Sequence, residues 1–163
     1  MNDLWMEEIE DNFYGDNLHL YRTKSETIEG KDIDLIDSTF IQLRGDNINI
    51  SNSRGLNVEG RDITLCNSNV ELIKGRKVTA MNCICTYIEC EELGRTDSSI
   101  IERIVIKGDR KEIVKTPHLN KTIDKNELYL SSTSKINEII FEKSGILHSP
   151  YEVRVINGTF KLN

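Results

Sequence analysis

The chain has 163 residues, of which 37% are hydrophobic and 29% are charged, and its net charge is −6. These values indicate one folded domain with a modest core, and they argue against a membrane protein because no window approaches the roughly 18 to 20 consecutive apolar residues that a span requires. The N-terminus is acidic where a signal peptide would be basic, so we expect a cytoplasmic protein.

The acidic excess is concentrated at the N-terminus. Residues 1–14 carry five acids and no base, whereas acids and bases are interleaved and nearly balanced in the rest of the chain. A protein that holds a phosphate backbone needs a basic stripe, and this sequence has none. We therefore expect no nucleic-acid partner.

The first predicted element is a short helix over residues 1–14. Trp5, Ile9 and Phe13 recur with helical spacing, Asp3 can act as the N-cap, and Gly15 can end the helix. We expect this amphipathic helix to cap the first coil of the repeat that follows. The alternative is that it docks onto a partner protein.

Residues 15–94 contain a regular repeat of fifteen residues. It is marked by glycines at a constant spacing: Gly15, Gly30, Gly45, Gly60 and Gly75. The positions three, five and thirteen residues after each glycine are apolar in every unit, and the first of these sets reads Leu18, Ile33, Ile48, Ile63 and Val78. Within each unit the apolar residues alternate with polar ones, as β-strands require.

A repeat this short cannot hold a pair of helices, and one such unit cannot bury its apolar face alone. Stacking successive coils at about 4.8 Å solves both problems and aligns equivalent residues in columns. The predicted fold is therefore all-β: a parallel β-solenoid with 15-residue coils, a short N-terminal capping helix and less regular C-terminal coils.

Two further columns support this stacking. One places asparagine at successive corners, at Asn52, Asn67 and Asn82, where stacked amides can hydrogen-bond along the ladder and cap the turn. Another alternates in charge: Glu29, Arg44, Glu59, Lys74 and Glu89. Opposite charges on neighbouring strands favour the correct register, because a slip by one coil would bring like charges together.

The asparagine column resembles the asparagine ladders of right-handed parallel β-helices with the pectate-lyase-like fold. The short, gapless coils over residues 15 to about 94 resemble the compact β-helices of bactofilins. The resemblance is one of architecture, without a family-specific motif, and the 15-residue coil and acidic N-terminal segment set this chain apart from bactofilins. For function, it implies a polymerising role.

Residues 95–163 are predicted to continue the same single domain as irregular coils. The spacing from Gly75 to Gly94 suggests an insertion of about four residues near Cys90 to Leu93. Residues 109–126 read as a polar loop that leaves the solenoid. Strand patterns cover residues 104–106, 128–130, 136–141, 146–147, 153–156 and 160–162, with a turn at Asn157-Gly158.

The four cysteines are interpreted as reduced packing residues. Cys66, Cys83 and Cys85 fall in columns of the repeat, and Cys90 falls in the predicted insertion. A disulfide and a metal site remain alternatives, although the spacing matches no structural-zinc pattern. We expect no cofactor.

The sequence offers little for catalysis. It has no nucleophile elbow, no phosphate-binding glycine loop and no His-Glu metal motif. Asp32, Asp34 and Asp62 could form a carboxylate cluster of the kind that carbohydrate-acting enzymes use, but Asn47 interrupts their column and a solvated face is the simpler interpretation.

The expected function is therefore non-enzymatic. The first hypothesis is a rigid scaffold that makes protein–protein contacts, with self-association as one form of them. The second is an intracellular binding module, such as an inhibitor, immunity factor or effector, and the third is a carbohydrate-acting β-helix enzyme. Loops on rigid scaffolds commonly carry binding residues. The candidate partner-binding residues lie in the N-terminal segment and the polar loop: Trp5, Glu7, Glu8, Lys115, His118 and Lys121.

The alternating charge column gives a test of the stacking. Glu59→Lys would place three cations on adjacent coils and should lower the free energy of unfolding by about 0.5 to 1 kcal/mol at low salt. The loss should shrink between about 0.01 M and about 1 M NaCl, because salt screens exposed charges. Urea unfolding at both salt concentrations measures it, with Glu59→Gln as the control. An effect of Glu59→Lys that is the same at both salt concentrations would contradict the proposed register.

Overall fold

The computed structural model describes residues 12–108 and 127–163, together with the backbone of two strands at 111–116 and 119–124. Its strands stack in parallel in a nine-stranded sheet. The predicted fold class, an all-β parallel solenoid with coils of about fifteen residues, is confirmed in this part of the chain.

Six long strands make up the regular part. They are β1 (Phe13–Tyr21), β2 (Lys24–Ile36), β3 (Thr39–Ser51), β4 (Arg54–Cys66), β5 (Asn69–Met81) and β6 (Ile84–Leu93). Each pairs in parallel with the next, and equivalent residues are fifteen apart from β1 to β6. The constant spacing of the sequence repeat is therefore the register of the ladder.

The C-terminal strands are shorter. They are β7 (Ile100–Ile106), β8 (Lys111–Thr116), β9 (Leu119–Asp124), β10 (Glu127–Tyr129), β11 (Lys135–Phe141), β12 (Ile146–Ser149), β13 (Arg154–Ile156) and β14 (Thr159–Leu162). The main sheet continues from β6 through β7 and β11 to β13, while β10, β12 and β14 form a second parallel sheet. The predicted C-terminal strands are thus confirmed, with small shifts of their ends.

The core is built from the apolar columns that the sequence repeat identifies. One inward column runs through Ile28, Leu43, Val58, Ile73, Ile88, Ile104 and Ile139, each at most 2% exposed. Burying an aliphatic side chain stabilises the fold by about 1.5 to 3 kcal/mol. Since each coil buries its apolar residues against the coils on both sides, the core extends along the axis of the solenoid.

Each coil turns at a corner that combines a left-handed residue with a buried hydroxyl. Asp37, Asn52 and Asn67 have φ values of 48 to 52°, a conformation that asparagine and aspartate tolerate better than most residues. The next residue is a buried serine in Ser38 and Ser53. The Ser53 hydroxyl accepts a hydrogen bond from the Ser38 N–H at 3.1 Å and donates one to the Ser51 carbonyl at 2.7 Å.

This serine ladder extends through most of the regular coils. The backbone N–H of Thr23 bonds to Ser38, that of Ser53 to Ser68, and that of Cys83 to Ser99, at 2.9 to 3.1 Å. The predicted asparagine ladder has one direct amide pair, in which Asn82 donates to Asn67 at 2.6 Å. Serine hydroxyls, not asparagine amides, therefore satisfy the buried corner N–H groups.

The glycine column is explained by close backbone approach. Its residues do not adopt positive φ, but a Cβ on Gly45 would lie 2.7 Å from the carbonyl oxygen of Gly30, and one on Gly60 would lie 2.5 Å from that of Gly45. No real Cβ makes such contacts with backbone oxygen. Glycine is needed here because the bend of one coil rests on the bend of the coil before it.

Three sequence predictions need correction. Phe13 and Tyr14 belong to β1, so the predicted capping helix does not reach residue 14, and its residues 1–11 lie outside the described part. The insertion near Cys90 is wrong: Cys90 pairs with Gly75 in register, and a single extra residue enters at the following corner, where Ser98 has positive φ.

The third correction concerns residues 109–126. Their backbone is not a loop throughout, because β8 and β9 pair as an antiparallel hairpin that belongs to neither solenoid sheet. The hairpin strands contain several β-branched residues, which favour extended structure: Ile113, Val114, Thr116, Thr122 and Ile123. Pro117 and the many polar residues concealed this signal.

The packing of Phe40 over Gly55 provides a stability test. A Cβ on Gly55 would lie 2.1 Å from the Phe40 ring, so Gly55→Ala should lower the free energy of unfolding by about 1 to 3 kcal/mol through overpacking. In a Phe40→Leu background the same alanine should cost less, because the ring is gone. A double-mutant cycle by urea unfolding measures the coupling. Equal costs in both backgrounds would refute this account of the column.

Candidate functional site at the ends of the solenoid

The candidate residues from the sequence fall where the structure gives no side-chain account. Trp5, Glu7 and Glu8 lie outside the described residues. Lys115 and Lys121 are on β8 and β9, whose backbone alone is described, and His118 lies between these strands, outside the described part. Their role in binding a partner stays a prediction.

The C-terminal end of the solenoid exposes the core in cross-section. β13 and β14 are the last strands of their sheets and pair on one side only. Val153, Val155 and Phe160 pack against the core but are only partly buried. With Arg154 they line an open cavity of about 570 Å³.

The N-terminal end shows the same two features in the described residues. β1 is the first strand of the main sheet and pairs only with β2. Its inward residues Phe13, Leu18 and Leu20 are partly buried. Unpaired strand edges over an incompletely covered core are sites where another chain can add strands.

The exposed large hydrophobic side chains of the described residues gather toward these ends. Tyr14 and Tyr21 are on β1, Ile156 and Leu162 are on β13 and β14, and exposures range from 37% for Ile156 to 65% for Leu162. An apolar cluster of this kind on an exposed surface commonly marks an interaction site. The sequence could not show it, because the same residue types are buried or exposed according to whether a further coil covers them.

One outward column shows the contrast between ends and middle most directly. It begins at Tyr14, continues through the charged residues Glu29 to Glu89, and finishes with Val105, Ile140 and Ile156. In the middle, Arg44 and Glu59 pair at 3.8 Å while both remain about half exposed. The column is thus polar where the solenoid faces water along its side and apolar at its two ends.

The lateral faces carry polar ladders. Asn47 donates to Asp32 at 2.7 Å, and Asp62 is paired with Arg76 at 2.8 Å. Asp34 contacts the imidazole of His19 at 2.9 Å. The carboxylates considered as a carbohydrate-acting cluster are thus engaged with neighbours on adjacent coils, in a face that remains exposed.

A shallow groove follows the glycine column. Gly30, Gly45 and Gly60 form its floor, and its walls carry both signs of charge, including Arg44 and Glu59, around a volume of about 400 Å³. In the described residues, no group of three or more histidine, cysteine, aspartate or glutamate side chains is placed to hold a metal ion. In the same part of the chain, no helix is long and apolar enough to cross a bilayer.

A small cluster in the second sheet was not foreseen. The rings of Tyr129 and His148 stack with centroids 4.2 Å apart, and the Tyr129 hydroxyl donates to Glu127 at 3.2 Å. The Glu127 carboxylate raises the pKa of Tyr129. His148 is mostly buried, contrary to its interpretation as a surface residue. Only the parallel register of β10 and β12 brings these residues together.

Comparisons with protein-family models, with curated proteins and with solved structures give no match for this chain. The functional argument therefore depends on the geometry alone.

The four cysteines are free thiols in the described structure. Burial raises the pKa of Cys85 and of Cys90 to about 12, and it also raises the pKa of Cys83. Cys66 is partly exposed. The interpretation as packing residues fits Cys83, Cys85 and Cys90, which are all buried.

Thiol labelling tests this arrangement. At pH 8 a thiol of pKa about 12 has roughly a thousandfold less reactive thiolate than one of pKa about 9. We therefore expect the folded protein to label first at Cys66, and the unfolded protein to label at all four cysteines. Mass spectrometry of peptides locates the label, and Cys66→Ser is the control. Labelling of Cys85 as fast as Cys66 in the folded protein would contradict the described packing.

Proposed function

We propose that this chain is a non-enzymatic β-solenoid scaffold that makes protein–protein contacts through its ends. The observation that carries the proposal is the C-terminal end, where β13 and β14 have free edges over the half-buried side chains of Val155 and Phe160. Covering this end would pair the strand edges and remove apolar surface from water, which is the dominant favourable term in most protein association.

The sides of the solenoid fit the role of a scaffold. Their charged and amide groups are engaged with neighbours on adjacent coils, as in the pairs Asn47–Asp32 and Arg76–Asp62. Such pairs contribute little stability each, since they are exposed. They keep the sides polar, so that the ends differ from the sides in their capacity to bind other chains. The cytoplasmic location stays a prediction from the sequence.

A binding module is the alternative function, and one observation favours it. The hairpin of β8 and β9 stands apart from both solenoid sheets. The strands on either side of it, β7 and β11, still pair in register although their residues are 35 apart in sequence. A partner-binding element inserted in this way would use the solenoid as its support. The acidic segment at residues 1–14 is the other candidate element for this role.

The scaffold proposal predicts association that depends on the end of the solenoid. In sedimentation velocity, the wild-type chain should gain mass as its concentration rises. Leu162→Asp, on the exposed side of β14, should weaken association by roughly tenfold or more, because a carboxylate would be desolvated at the contact. Leu72→Asp is the matched control, since Leu72 is 40% exposed in the middle of the solenoid.

The control should associate like the wild-type chain. Wild-type protein that remains monomeric at every concentration would refute assembly through the ends. Equal losses in Leu72→Asp and Leu162→Asp would place the contact on the side of the solenoid instead. Loss of association on replacing residues 110–125 with a short glycine-serine linker, with the fold intact, would favour the binding-module alternative.

A further inference from the structure

We infer that the partner of the C-terminal end is the N-terminal end of a second copy of this chain, so that copies join head to tail. This inference rests on the proposed function and specifies its partner. Three independent features of the two ends support it: the inward column, the outward column and the charge.

The inward column matches across such a junction. Phe13 and Val155 are the first and last members of one continuous column, and both are partly buried. The seven residues between them are at most 2% exposed. A head-to-tail junction would place Phe13 of one copy on Val155 of the other and give both the burial of the interior members.

Only this polarity continues the ladder. The strands of the main sheet from β1 to β13 are all parallel. Stacking a second copy in the same orientation extends this parallel pairing across the junction. A two-fold related junction of identical ends would set the strands antiparallel and would misalign the columns.

The outward column gives the second match. Its first member is Tyr14, 64% exposed, and its last is Ile156, 37% exposed. In a head-to-tail junction these two side chains become neighbours on adjacent strands. Pairs of aromatic and β-branched side chains are favourable across neighbouring strands. Along the side of the solenoid, the same column carries charged residues, which need no partner chain.

The charges of the two ends are complementary. Residues 1–21 contain six acids and neither lysine nor arginine, whereas residues 153–163 contain Arg154 and Lys161 and no acid. Joining unlike ends brings opposite charges together, and joining like ends brings like charges together. Complementary charge therefore favours one polarity of assembly. Since a contact between unlike surfaces does not close by symmetry unless the copies form a ring, it permits extended assemblies.

The test uses one variant that blocks each end. Tyr14→Asp should block the N-terminal end and Ile156→Asp the C-terminal end, because each places a carboxylate against an apolar partner. Both positions are exposed in the single chain, so each variant should fold, and thermal unfolding checks this. Leu72→Asp again serves as the control and should assemble like the wild-type chain.

Sedimentation velocity of the separate and mixed variants gives the polarity. Each variant alone should be monomeric at concentrations where the wild-type chain assembles, and an equimolar mixture should form dimers, because one intact end of each kind is available. A Tyr14→Asp protein that dimerises by itself would indicate joined C-terminal ends, and an Ile156→Asp protein that does so would indicate joined N-terminal ends. Either result, or a mixture that stays monomeric, overturns the head-to-tail inference while end-mediated assembly of the wild-type chain stands. A monomeric wild-type chain overturns both.

Discussion

A buried backbone N–H at the corner of each coil is the constraint on which the solenoid depends. The chain turns there through a left-handed residue such as Asn52, and the N–H of the next residue points into the protein. A buried donor without a partner costs about 1 to 3 kcal/mol. The partner is a serine hydroxyl of the following coil, as Ser68 is for Ser53. That hydroxyl can reach only if the following coil places its corner directly in line, so the hydrogen bond ties the coil length to fifteen residues.

Because each coil is completed by its neighbour, the first and last coils are necessarily different from the others. Interior coils bury their apolar residues on both sides, and the terminal ones, at Phe13 and Val155, have a neighbour on one side. The same side-chain chemistry that forms the core in the middle becomes a contact surface at the ends. In a solenoid, therefore, the tendency to associate is a property of the ends, and it needs no dedicated binding motif. Repeat proteins of this kind depend on nearest-neighbour contacts for stability.

The regular half of the fold could be predicted from the sequence because its columns recur at a constant spacing. The prediction failed where one marker was followed too literally. Glycine marks the bends where backbones approach closely, yet Cys90 occupies that position in the sixth coil, so the glycine spacing broke while the register continued. The serine ladder was underestimated because asparagine at the corner was the more conspicuous signal. Contacts such as Tyr129–His148 depend on the register of irregular coils, which no repeat encodes. The ends could not be recognised either, because the exposure of Tyr14 and Ile156 is set by the absence of a further coil and not by their residue type.

The hairpin excursion shows that the ladder does not count the residues between its strands. β7 and β11 stay in register although their partners are 35 apart in sequence, and the chain leaves after Gly108, at a φ of 82°. Loop-closure entropy grows slowly with length, so an insertion at this bend costs little once the flanking strands are paired. The bend is thus a tolerant insertion point on a stiff rod. A foreign peptide, a second hairpin or a whole small domain could be carried there, at a fixed place along the axis, without altering the core that holds the rod together.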